Sequence, residues 1–154
     1  MALKFTDISV GQTAQRICKL DAAMLDAFAT LTGDHAPVHF DPRHARSLGF
    51  SACIAHGLLV ASMYSSLLGQ ELPGPDSVIL KVALDMVKPV DIGETLSYRV
   101  VVARTPESVQ GVMLDLSAAN GRGEIVSRGS AVCVFPGSSS QDQETDDGPR
   151  IRQS

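Results

Sequence analysis

Between residues 78 and 135 the chain adopts a period of two and holds it through four runs. The first carries Leu80, Val82, Leu84 and Met86, the second Leu96, Tyr98, Val100 and Val102, and the third Val112, Leu114 and Leu116. The fourth, longer and less regular, carries Ile125, Ala131, Cys133 and Phe135. Side chains of a strand point alternately to opposite faces, so this pattern predicts strands with one apolar face each. The breaks at Asp91-Ile92-Gly93, Thr105-Pro106-Glu107 and Asn120-Gly121-Arg122-Gly123 are turn-rich and short enough for antiparallel neighbours. An apolar sheet face needs a cover, and residues 56–68 supply one: a helix apolar almost all round, with Ala61, Ser62, Ser65 and Ser66 small enough to let another backbone approach. Gly69 and Leu72-Pro73-Gly74-Pro75 end it. One buried helix ahead of a run of strands predicts an α+β fold, an antiparallel sheet curled over that helix.

Upstream, residues 3–20 give a weak strand signal around Gly11. Asp21 then caps a helix in which Met24, Phe28 and Leu31 recur at helical spacing, and Gly33 stops it. Asp41-Pro42 restarts a short helix ending near Leu48 or Gly49, because Pro at the first helical position leaves no required N–H unpaired. A chain of 154 residues can bury roughly 70% of the surface it exposes when unfolded, enough for one domain with a real core. We assign residues 1–135 to that domain. Residues 136–154, rich in Ser, Gln, Asp and Gly, are expected to be disordered. The net charge of −4 comes with no basic patch, which argues against nucleic acid as a partner. Cys18, Cys53 and Cys133 are odd in number and widely spaced, so neither a disulfide framework nor a zinc knuckle is indicated. A cytoplasmic protein is expected: residues 1–10 lack a signal pattern, and the most apolar helix is too short for a bilayer.

The segment best suited to chemistry is Gly33-Asp34-His35-Ala36-Pro37-Val38-His39, a Gly/Pro-bounded turn with a carboxylate and an imidazole five positions apart. Asp34 and His39 beside one water would make a general acid/base pair. The plainer reading has Asp34 hydrogen-bonding its own turn, and both stay open. His35, His39 and His44 invite a metal, but no Cys or Glu completes a recognisable ligand set, so no metal is expected and His35 and His44 are read as solvated. His56 is read as bonded to loop backbone in preference to a part in proton transfer, and both stay open. Gly57 either permits tight helix entry or lets a ligand reach the unpaired N–H groups of the first turn. Ser62 lacks a G-x-S-x-G setting and is read as a pocket-lining or packing hydroxyl.

Together, the turn at residues 32–39 and the His56-Gly57-Leu58-Leu59-Val60-Ala61-Ser62 segment seventeen positions after His39 resemble the MaoC-type hydratase motif of the hotdog fold. Residues 67–75 are similar to the stretch after the central helix of single-domain (R)-specific enoyl-CoA hydratases. The resemblance implies a helix wrapped by a curved sheet, a homodimer with its sheets side by side, and a tunnel for an acyl-CoA or acyl-carrier-protein thioester. It also implies hydration of a trans-2-enoyl thioester to the (R)-3-hydroxyacyl product, or the reverse, without cofactor or metal. Carried onto this chain, Asp34 is the main base toward water, His39 holds that water and shuttles its proton to the α-carbon, the Gly57 N–H polarises the thioester carbonyl, and Ser62 lies near the pair. Pocket walls are expected from the central helix, including Ser62 and Ser65, and from residues 78–87. One departure is Ala36, which stands where the family's turn carries Asn and so removes a supporting amide. Two rival activities follow. A thioesterase of this fold would use a carboxylate on the central helix, and residues 56–68 contain none; a non-catalytic acyl-thioester-binding subunit would tolerate Ala36.

Overall fold

The structure is a computed structural model and describes residues 2–136; beyond Pro136 the expected tail lies outside the described residues. Five strands form one antiparallel sheet in the order β1-β3-β4-β5-β2: β1 (Thr13–Lys19), β2 (Val78–Met86), β3 (Thr95–Arg104), β4 (Gly111–Ala119) and β5 (Ile125–Val134). All four expected C-terminal strands are present. Leu96, Tyr98, Val100 and Val102 of β3 and Val112, Leu114 and Leu116 of β4 turn inward, each no more than 2% exposed. Against them pack Val60, Tyr64, Leu67 and Leu68 of the central helix. The result is the hotdog arrangement.

The first strand and the capped helices also form as the turn chemistry predicts. Helix α1 (Ala22–Thr32) begins where the Asp21 carboxylate accepts from the Met24 N–H at 3.0 Å, and ends at Gly33 with φ of 76°. The Asp41 carboxylate caps α3 (Pro42–Ser47) by accepting from Arg43 N–H at 2.8 Å.

The central helix departs from its expected form. It runs as α4 (Gly57–Ser62) and α5 (Tyr64–Ser66), then continues through Gly69 as a π turn, Leu67–Glu71. The Leu72 N–H closes that turn on the Leu67 carbonyl at 2.8 Å. Pro73 ends the helix by holding Leu72 in an extended conformation, φ −149° and ψ 110°. Leu58, expected inside, is 73% exposed. Two buried tyrosines fasten helix to sheet. The Tyr98 hydroxyl donates to the Val60 carbonyl at 3.1 Å, Tyr64 shares a 2.9 Å bond with Ser127 Oγ, and their rings meet edge-on at 5.0 Å. Desolvation raises the pKa of both phenols, and that of the buried Cys133 thiol to about 11.

Strands β5 and β2 explain why their sequence patterns are less regular. Ile125 is exposed and Val126 buried, because the β4–β5 register shifts between Ala118 and Ala119 and moves the inward phase by one residue. In β2, Leu80 is the extra residue where Ile79 pairs with Cys133 but Lys81 with Val132. Farther along, Leu84 pairs with Gly129, where a Cβ would overlap the Ala83 carbonyl; only glycine lets β2 approach so closely.

Candidate active site

The turn after Gly33 is built from its own polar groups. Asp34 Oδ1 accepts from the Ala36 N–H at 3.1 Å, and Thr32 Oγ1 accepts from the Asp34 N–H at 3.3 Å. The self-bonding reading and the chemical one therefore apply to one carboxylate: Oδ1 closes the turn, and the side chain remains 49% exposed. Pro37 then starts a single helical turn, α2 (Pro37–Phe40), which carries His39. Four residues are too few for periodicity to reveal.

A second segment, residues 54–57, packs beside the connection between β2 and β3. It is pinned by the Ile54–Asp91 bridge and by the Ala55 N–H donating to the Val90 carbonyl at 2.7 Å. His39 Nδ1 lies 2.7 Å from the Ile54 carbonyl. A carbonyl only accepts, so Nδ1 carries the hydrogen and the Nε2 lone pair of the neutral ring is left for chemistry. His56 Nε2 lies 2.9 Å from the Asp34 main-chain carbonyl, the backbone bond expected of it. The two imidazoles also stack, centroids 3.8 Å apart and planes 30° apart, a contact the sequence pattern does not disclose.

Asp34, His39, His56 and Gly57 line one cavity of about 560 Å³. Leu58 and Ala61 of the central helix and Val82, Leu84 and Met86 of β2 form its apolar walls. Ser62 is not among the lining residues: it is exposed, and its hydroxyl donates to the Leu59 carbonyl at 2.8 Å. Ser65, also exposed, does not line the cavity either; Ala61 takes the place expected of both. His35 and His44 are exposed. Ala36 precedes α2 and offers no side-chain cap, leaving the turn to the Asp34 carboxylate.

One carboxylate oxygen of Asp34 and one nitrogen each of His39 and His56 lie within 4.8 Å of one another, which raises the question of a metal. Imidazole lone pairs lie in the ring plane, and two stacked rings cannot both aim theirs at one ion at about 2 Å. His39 Nδ1 and His56 Nε2 are also engaged with carbonyls. The arrangement suits a water held between a carboxylate and one imidazole better than a metal ion.

The solved structure of an (R)-hydratase from A. caviae involved in PHA biosynthesis superposes with a TM-score of 0.80 at 36% identity, over 84% of this chain and 98% of that one. Among sequences, the chain is 36% identical over 129 residues to an (R)-specific enoyl-CoA hydratase of Aeromonas caviae, covering 84% of this chain and 96% of the relative. It is 33% identical over 134 residues to a 3-hydroxybutyryl-CoA dehydratase of Methylorubrum extorquens, covering 87% and 85%. Residues 7–115 match the MaoC like domain. The chain belongs to the MaoC-like family.

Proposed function

We infer that the protein is a hydro-lyase that adds water across the double bond of a trans-2-enoyl thioester to give an (R)-3-hydroxyacyl thioester, and catalyses the reverse dehydration. The observation that carries this reading is the convergence of Asp34, His39 and Gly57 on one apolar-walled cavity, with His39 held in the tautomer that leaves Nε2 free. An acyl chain would lie between the central helix and β2. Asp34 acts as hydrogen-bond base toward one O–H of a water whose other O–H is held by His39 Nε2. As the oxygen bonds to C3, the proton on the His39 side passes to Nε2 and from there to C2, while the O–H held by Asp34 remains as the new 3-hydroxyl. Electron density passes meanwhile to the thioester oxygen. Gly57 opens α4, and its N–H is one of the first-turn donors left without an intrahelical partner, suited to that developing charge. The substrate is the thioester of coenzyme A or of acyl-carrier protein, and the single domain of residues 1–135 performs the reaction without cofactor or metal.

The active form we propose is a homodimer. In one protomer β2 is an edge strand with Leu80 64%, Val82 45% and Met86 45% exposed, beside Leu58 at 73%. Apolar side chains on an unpaired edge favour pairing with a second edge, and a β2–β2 contact would close the cavity's open side. No helix among the described residues is long and apolar enough to cross a membrane. Three free thiols fit a reducing compartment such as the cytoplasm.

The test is hydration of crotonyl-CoA, followed by loss of the conjugated-thioester absorbance. Asp34→Asn and His39→Ala should each lower turnover by about 10²–10⁴-fold, the usual worth of a general acid/base. Hydration surviving both changes refutes the assignment. Release of free thiol instead of hydration identifies a thioesterase, and silence across chain lengths identifies a binding subunit.

A further inference from the structure

His56 takes no part in the chemistry just described, yet it lines the cavity and is 2% exposed, buried more deeply than either Asp34 or His39. Its Nε2 must carry the hydrogen it shares with the Asp34 carbonyl, so in the neutral ring Nδ1 is a bare acceptor. Nδ1 is buried and has no partner among the described residues. A buried acceptor left unmade is unfavourable, and a residue kept only to fill space would be better served by Phe or Leu. The purpose of the imidazole therefore lies in its other nitrogen and in its face.

Both lead to the reacting pair. Nε2 grips the main chain of Asp34, and the ring stacks on His39 at 3.8 Å and has Phe28 at 5.0 Å, centroid to centroid. His39 reaches back, donating to the carbonyl of Ile54, two residues before His56. Each imidazole is thus fastened to the main chain of the segment that carries the other, and neither segment can shift alone. We propose that His56 is a positioning residue, which ties the Asp34 turn to the His39 ring and keeps carboxylate and Nε2 at the separation one water requires. The proposal rests on the hydratase reading of Asp34 and His39.

Two variants of the full chain separate its parts. His56→Phe keeps an aromatic face and removes the N–H; His56→Gln keeps an N–H donor and removes the ring. With crotonyl-CoA, His56→Phe is expected to lose about 100-fold in kcat, as misplacement of a reacting group by an ångström does, with KM changed less than about threefold. His56→Gln is expected to recover kcat to within about tenfold of the parent, because the bond to Asp34 is restored. Nitrogen-15 spectra of the imidazoles give a second reading, independent of turnover: His39 should be a single Nδ1–H tautomer in the parent and averaged in His56→Phe. Parental kcat in His56→Phe overturns the proposal. So does equal impairment of both variants with KM rising in step and the His39 nitrogens unchanged, the signature of packing alone. If Asp34→Asn and His39→Ala keep full turnover, it is the hydratase reading that fails; the His39 nitrogens still decide the tie, averaging in His56→Phe supporting it and an unchanged spectrum refuting it.

Discussion

The middle of the sheet and its β2 edge are written in the same apolar alphabet and end in different environments. In β3 and β4 the inward residues are sealed under the central helix, Val100 and Val112 completely. In β2, residues of the same kind remain open: Leu80, Val82 and Met86 are 45–64% exposed, and Val82, Leu84 and Met86 face the cavity. Alternation reports that a face is apolar without saying what will cover it. In the centre the cover is the protein's own helix; at the edge, in our reading, it is left to substrate and a second protomer.

Substitutions on the two sides should separate stability from assembly. The largest effect on folding is expected in the centre, where Leu114→Ala leaves a void under the helix and should cost about 2–5 kcal/mol in urea unfolding. At the edge, Leu80→Lys should change intrinsic stability by no more than about 0.5 kcal/mol, as exposed positions do. It should nonetheless convert a dimer to a monomer in light scattering and abolish the concentration dependence of the melt. A dimer that persists in Leu80→Lys would move the interface elsewhere. The smallest effect is expected at the β4–β5 turn. There Glu124 accepts from Lys88 at 2.7 Å, Asn120 at 2.8 Å and Arg122 at 3.1 Å, and these contacts lower its pKa from 4.5 to about 2. A carboxyl depressed on folding contributes stability above its unfolded pKa and loses it as pH falls through the folded value. Glu124→Gln should therefore lower the melting temperature slightly at neutral pH, and the difference should fade between about pH 4.5 and pH 2. A difference that is constant with pH would assign the effect to the turn's conformation instead of to charge.

The same contrast explains what could be read from the chain beforehand. Caps and stops at Asp21, Gly33 and Asp41-Pro42, and the strands of the sheet centre, follow from local chemistry that works within a few residues. Phase slips do not. Val126 replaces Ile125 inside, and Leu80 bulges, because each depends on a register with another strand. The helix continues past Gly69 because Pro73, not the glycine, sets its end. At the site, Asp34 and His39 stand out as an acid/base pair spaced along one turn. The stack of His56 on His39 and its bond to the Asp34 carbonyl join positions 17 and 22 residues apart, and no spacing rule covers them. Ser62 shows the converse: a helical position suggests where a side chain can lie, but its hydroxyl is taken by the Leu59 carbonyl one turn back.

The bare α-carbon of Gly129 governs how the cavity can be remodelled. With no atom beyond hydrogen beneath the Ala83 carbonyl, the path of the outermost ribbon is dictated by main chain alone and cannot be eased outward by trimming a neighbour. In the proposed reaction, room for a bulkier acyl group is expected from shortening the wall residues Leu58, Val82, Leu84 or Met86 where they stand. A ribbon grafted from another protein would fit only if its own partner strand also dispensed with a side chain at that crossing.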